Sequence, residues 1–223
     1  MEHLSTKERL RNMNFKEKIN YIFYYYKFHI TIIIVLLLTI TFFSINIINS
    51  KKVVLNITLL GKYVDADKQD QLKKKADDTL IKTDKKKEDI SFDFLQTSDD
   101  PKDDTNSIAY QKLSALISSR DADILILDKK DFNINVKKGL FMKLSAIPDF
   151  FNLHVPDSSL VKWKMKNSDK AYEPYGINVE NLPVLKFINF DTKNKVLCIV
   201  SNSTHVSKAV DFLKWAYLSK TIY

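Results

Sequence analysis

Residues 29–48, HITIIIVLLLTITFFSINII, run for twenty positions without an Asp, Glu, Lys or Arg. As a helix rising 1.5 Å per residue, such a stretch spans about 30 Å, the thickness of a bilayer core. Thr31, Thr39, Thr41 and Ser44 are tolerable there because a hydroxyl can bond back to a carbonyl one turn earlier. A buried helix of a soluble domain is seldom apolar on every face over that length, so the expectation is a transmembrane helix. It is longer than an export core of about 7–15 residues and ends in Ile47, Ile48 and Asn49 rather than at a small-residue cleavage site. No cysteine stands near it for lipid attachment. An uncleaved, single-pass signal anchor is expected.

Short flanks set orientation through their basic residues. Residues 1–28 carry six (Lys7, Arg9, Arg11, Lys16, Lys18, Lys27), and the twenty residues beyond the span carry four (Lys51, Lys52, Lys62, Lys68). This balance predicts a cytoplasmic N-terminus and an extracytoplasmic C-terminal part in the cell membrane. Phe15, Ile19, Ile22, Phe23 and Tyr26 recur at helical spacing, with Asn14 as N-cap and Glu17 at the capping-box position. Phe15–Lys27 therefore reads as an amphipathic helix on or entering the inner membrane surface, a topology anchor more than a sensor. The chain divides into a basic tail (1–28), the span (29–48), a short linker (49–52) and an α/β domain (53–223).

Residues 1–52 hold eight basic and three acidic side chains, a net +5, and the remainder 27 and 24, a net +3. The basic excess is mostly an anchoring feature, and the mixed signs of the remainder argue against nucleic acid as a partner. One cysteine excludes a disulfide framework and a Cys-based zinc site, and three scattered glycines exclude a Gly-rich phosphate loop. His3, His29, His154 and His205 show no ligand spacing. Neither cofactor nor metal is expected.

Beyond the span, strand-like and helix-like segments alternate. Strands are expected at Val53–Leu60, Ile90–Gln96, Ala122–Leu127, Val161–Met165, Ala171–Val179 and Val196–Ser201, with a polar turn at 166–170. Helices are expected at Asp67–Ile81, Thr105–Ser119, after Asp128, and after Ser203 or Thr204. Asp128 reads as an N-cap with Asp131 at the capping-box position, and Lys137, Lys138 and Gly139 as the stop. Such alternation predicts an α/β fold, a sheet with helices on both sides in three layers.

Several segments resemble bacterial extracellular solute-binding proteins of the type II periplasmic class. These are the run Ser118–Asp128 (SSRDADILILD) with Gly139, Leu140, Phe141 and Leu144, the triplet Tyr175-Gly176-Ile177, and 199–217 (IVSNSTHVSKAVDFLKWAY). The resemblance covers about half of the domain. It implies that Tyr175–Ile177 crosses out of a first lobe and that the strand from Val196 returns to it. The chain departs from that pattern: fewer than twenty residues separate the two, so a truncated, single-lobe relative is implied. FKEKINYIFYYYKFH and the span also resemble membrane-anchored proteins of low-GC Gram-positive bacteria, implying an extracytoplasmic domain.

No catalytic set stands out. Ser201, Ser203, His205 and Asp211 suggest a hydrolase, but Ser203 and His205 flank a helix start, where capping residues belong, and no glycines form a nucleophile elbow. Asp121, Asp123 and Asp128 flank one strand and fit a shared cation poorly. Trp163 and Tyr172 read as packing more than as a stacking platform. Cys198 reads as a buried hydrophobe, and the sequons at Asn56 and Asn202 overlap regular elements. The expected function is a non-enzymatic binding or interaction module at the cell surface. Its partners would be the lipid bilayer and a protein, peptide or envelope glycan. The ligand site would lie at the carboxyl ends of the strands, at Leu60, Gly61, Gln96, Asp128 and Tyr175. A structural or regulatory subunit of a membrane complex is the alternative, and an envelope hydrolase a more distant one.

Overall fold

The computed structural model describes residues 14–49, 51–148, 150–153, 155–165 and 171–218. Two compact units divide the chain, Met1–Ser50 and Lys51–Tyr223. In the first, helix α1 (Phe15–Asn49) runs unbroken for 35 residues, roughly 52 Å. Asn14 and Glu17 begin it: the Asn14 N–H donates to Glu17 Oε2 at 2.9 Å, and the Lys18 N–H closes the first turn on the Asn14 carbonyl. The tail residues Lys7, Arg9 and Arg11 lie outside the described residues.

The expected amphipathic helix and the span are one helix, because nothing between Phe15 and Asn49 is Gly or Pro. Its apolar window, Phe23–Ile45, has a mean hydropathy of 2.5 with none of it buried, so it is long and apolar enough to cross a membrane. The window opens six residues before the expected start at His29, because the ring-rich run from Phe23 to Phe28 contains only one charge, Lys27. Thr31, Thr39 and Thr41 each donate to the carbonyl four residues back, at 2.8 Å.

The second unit is mixed α/β. Strand β1 (Lys52–Gly61) leads to α2 (Ala66–Leu80) and β2 (Glu88–Gln96). Helix α3 (Asp104–Ser119), β3 (Ile124–Asp128) and α4 (Lys129–Val136) follow. Three short 3-10 turns precede β4 (Leu160–Trp163), and β5 (Glu173–Asn178), α5 (Pro183–Phe187), β6 (Lys195–Ile199) and α6 (Val206–Leu218) complete it. Because β1 already includes Lys52, the expected linker at 49–52 is shorter than predicted. The expected turn at 166–170 lies outside the described residues.

The six strands stand in the order β2-β1-β3-β6-β5-β4. β2, β1 and β3 are parallel, whereas β6 runs antiparallel to both β3 and β5, and β4 pairs antiparallel with β5. The crossover from β1 to β2 and the one from β2 to β3 travel in opposite directions across the sheet. With the usual right-handed connection, that places α2 and α3 on opposite faces.

Period-two alternation then divides the core. Leu55, Ile57 and Leu59 of β1, Ile124 and Ile126 of β3, and Leu197 and Ile199 of β6 pack with Leu72 and Ala76 of α2 and with Phe212 and Leu213 of α6. Leu125, Leu127, Val196 and Cys198 point the other way, to Leu113 of α3 and Phe132 of α4. Both faces of the central strands are therefore sealed, which is why β3 and β6 are apolar between their ends, while β1 adds two buried polar residues, Asn56 and Thr58.

The outer edge of β2 is covered by polar side chains of α2. The Ile90 N–H donates to Asp77 Oδ1 at 3.0 Å, and Gln69 Nε2 donates to the Phe92 carbonyl at 2.7 Å. A bare edge would offer those groups to another chain. Gly176 has a packing reason, since a Cβ there would lie 2.5 Å from Val196 Cγ1. Gly139 ends the segment after α4 at φ +72°, as expected of a helix stop.

Candidate functional site: a charged cleft at the carboxyl ends of the parallel strands

β1, β2 and β3 end on the same edge of the sheet because they are parallel, and a cleft of about 1040 Å³ opens there. Lys62 follows β1, Thr97 to Pro101 follow β2, and Asn106 and Tyr110 come from the first turns of α3. Asp128 to Asn133 form the start of α4, and the residues leading into β6 close the remaining side. Five lysines (Lys62, Lys129, Lys130, Lys193, Lys195) and four aspartates (Asp99, Asp128, Asp131, Asp191) line it.

Lys195 organises the floor. It is the first residue of β6, paired in register with Asp128, the last residue of β3. Cross-strand neighbours sit close enough for their side chains to meet. The Lys195 side chain is only 4% exposed, and its ammonium donates to the Leu60 carbonyl at 2.9 Å and to Asp128 Oδ2 at 3.0 Å. The same Nζ lies 5.7 Å from the centre of the Phe190 ring. Asp128 is 47% exposed and lines the cleft, with Oδ2 the oxygen that takes the Lys195 ammonium. Asn194, in the left-handed region at φ 56°, turns the chain into β6, and its carbonyl accepts the Lys129 N–H at 2.8 Å. Asparagine is among the few side chains that accept this conformation readily.

Two capping expectations are corrected here. Asp128 occupies the N-cap position of α4, but its side chain makes no capping bond, because the buried ammonium of Lys195 takes it instead. Asp131 does not complete a capping box; its carboxylate accepts the Tyr110 hydroxyl at 2.7 Å, tying α4 to α3. Burial, followed by that bond to Asp131, pushes the Tyr110 hydroxyl well above the usual phenol range. On the rim, Lys62 pairs with Asp99, and the bond to that carboxylate raises its pKa.

Of the five residues expected at the site, Asp128 lines the cleft directly and Leu60 contributes its carbonyl. Gly61 ends β1 beside it, its carbonyl accepting the Thr97 N–H at 2.8 Å. A Cβ at Gly61 would lie 2.5 Å from Phe190 Cε2. Gln96 is exposed at the end of β2, and the two residues after it, Thr97 and Ser98, form the lining. Tyr175 does not join them: it packs partly buried against the α3/α4 side of the core, on a strand separated from β3 by β6.

Lys195 and Tyr110 are absent from that set. A lysine one place ahead of a buried strand reads as a solvated end, and only the antiparallel register brings it beneath Asp128. A smaller cavity of about 600 Å³, lined by Leu153, Pro156, Asn178, Glu180 and Tyr217 among others, has no lysine among the described residues. Burial pushes the Tyr217 hydroxyl up to about 12.

The opposite end of β3 holds the residues that suggest a hydrolase. Asp123, 1% exposed, accepts the Asn56 N–H at 2.9 Å and the Ser203 hydroxyl at 2.6 Å, and His205 Nδ1 lies 3.1 Å from its Oδ2. Asn56 in turn donates to Asp93 at 2.7 Å and accepts the Thr58 hydroxyl at 2.9 Å. Ser203 and His205 thus share one carboxylate, and the serine proton points at the acid rather than at an imidazole nitrogen. A serine nucleophile needs the reverse. The Ser203 oxygen also accepts the His205 N–H at 3.2 Å, the local role expected just ahead of α6.

Asp123 and Asp128 stand at opposite ends of the strand, about 16 Å apart at strand rise, so they cannot share a cation. Among the described residues no group of three His, Cys, Asp or Glu is placed to hold a metal. Trp163 is partly buried in the core with Lys137 Nζ 5.7 Å from its ring centre, while Tyr172 is 67% exposed before β5. No protein-family model, curated protein or solved structure gives a significant match to this chain.

Proposed function

We propose that this chain is a non-enzymatic, membrane-anchored binding module whose α/β domain is displayed outside the cell membrane and takes its ligand in the cleft between Lys62, Asp128 and Lys195. The observation that carries the reading is the cleft itself: a wide, polar recess at the carboxyl ends of three parallel strands, where open α/β sheets collect their ligands. The six-to-four excess of basic residues ahead of the span supports a cytoplasmic N-terminus.

The likeness to one lobe of a solute-binding protein draws support from the sheet order. The strand holding Tyr175-Gly176-Ile177 and the strand from Lys195 are neighbours, with β6 inserted antiparallel between β3 and β5. Sixteen residues, including α5, join them within the same unit in place of a second lobe. One face cannot enclose a small molecule as two lobes do, so the module suits a ligand that is itself extended or carried on a larger partner.

A helix-bound subunit role is less well supported. The window Phe23–Ile45 contains no Gly or Ala, and of its four Ser and Thr hydroxyls those of Thr31, Thr39 and Thr41 are spent on its own carbonyls, which leaves Ser44. Helix pairs in membranes rely on small residues and free polar groups.

The test is a thermal-shift screen of the full chain in detergent against sugars, peptides and wall fragments, combined with protease added outside intact cells. Stabilisation by at least one class, lost in Asp128→Asn, and external cleavage beyond Lys51 are expected. An unshifted melting point with every class, or protection of the C-terminal unit, overturns the proposal.

A further inference from the structure

We infer that the ligand of the cleft is a short zwitterionic peptide, its amino terminus seated on Asp128 and its carboxylate among Lys129, Lys130 and Lys193; this rests on the binding role proposed above. The charge pattern selects the class. Among the described residues nine charged side chains line the cleft, with a net of only +1. A polyanion would face four carboxylates, and a neutral glycan would leave most of those charges desolvated without a counter-charge. A ligand carrying both signs meets both.

The order of the charges gives the ligand a direction. Asp128 is the acidic group anchored to the floor: Lys195 below it holds one oxygen at 3.0 Å, and the helix that Asp128 precedes makes no claim on the other. A carboxylate fixed on one side and open on the other is preorganised for an ammonium. Lys195 acts as its positioning residue. Lys129 and Lys130 occupy the first turn of α4, where cations oppose the helix dipole and stability alone disfavours them. With Lys193 they form no ion pair among the described residues, which leaves three ammonium groups for a carboxylate. Thr97, Asn133 and Asn194 between them suit the amides of an extended backbone, and three residues at about 3.5 Å each span roughly 10 Å.

The experiment is calorimetric titration of the full chain in lipid nanodiscs with tri-alanine bearing free ends, N-acetylated, or C-amidated. Free tri-alanine should bind, and acetylation should weaken it about tenfold, the worth of one charged hydrogen bond. Asp128→Asn should weaken the free peptide similarly and erase the difference between free and acetylated forms. Lys129→Ala, Lys130→Ala and Lys193→Ala combined should erase the difference made by amidation instead. Equal binding of all three peptides, or an Asp128→Asn chain that binds free tri-alanine unchanged, overturns the inference. Di-N-acetylchitobiose is the contrasting probe. Binding of it alone, weakened by Asp128→Asn, would overturn the peptide assignment while leaving the cleft a ligand site, whereas silence from every probe would remove both.

Discussion

β3 carries an aspartate beyond one end and an aspartate at the other, and their surroundings are opposite. Asp123, ahead of its first residue, is sealed from solvent and accepts from the Asn56 backbone, Ser203 and His205. Asp128, its last residue, is about half exposed, bonds one buried lysine and leaves the helix behind it uncapped. A buried carboxylate whose oxygens are all engaged is a structural group, because every partner would be orphaned without it. One held from a single side at the floor of a cleft retains capacity for something outside the chain. Residue type is therefore no guide to role here; the count of unmet valences is.

This contrast is easiest to break at Asp123. Asp123→Ala removes the acceptor from two donors and a ring nitrogen in a dry site, and should cost about 3–5 kcal/mol in urea unfolding of the chain in detergent. A loss below about 1 kcal/mol would remove the structural reading. Next comes Ser203→Ala, which takes one short hydrogen bond from that carboxylate and should cost about 1.5–3 kcal/mol in the same measurement, with no effect at the cleft.

Lys195→Met keeps the volume but leaves the Leu60 carbonyl without its donor, so about 1–2 kcal/mol is expected. It should also free Asp128 to cap α4, visible as slower amide exchange in the first turn of that helix. Asp128→Asn should cost a similar ~1–2 kcal/mol, about half the loss at Asp123 or less: Asp128 is half exposed and the amide oxygen can still accept from Lys195, but the buried ammonium loses its counter-charge. If Asp128→Asn unfolds the chain as readily as Asp123→Ala, the two ends of the strand do not differ in kind.

Much of the architecture was legible in the sequence because its signals are local. Uncharged length marks the span, and β-branched apolar runs mark β1 and β3. The Lys137-Lys138-Gly139 stop is read from the dipole and the left-handed glycine, which is found at φ +72°. The capping boxes divide instructively. Asn14 with Glu17 forms by half: the Glu17 carboxylate takes the Asn14 N–H as spaced, while Asn14 Oδ1 accepts the Phe15 N–H, one residue on. Asp128 with Asp131 has the same spacing and does not form, since Lys195 and Tyr110, 67 and 21 residues away, bond those carboxylates instead. Local spacing states what a side chain can do, and a stronger partner brought by the fold states what it does.

The site shows the same division. Asp128 is recoverable from the rule that ligands gather at the carboxyl ends of parallel strands, whereas Tyr175 fails the rule because β6 stands between its strand and β3. Lys195 could not be found from the sequence, because its importance comes from a register and not from a motif. By itself the sequence determined an apolar helix of spanning length and an α/β domain, since hydrophobic period and length act within a few turns of chain. The tertiary structure alone decided which carboxylate is sealed and which is open, because hydrogen-bond partners distant in sequence meet only once the strands have chosen their neighbours.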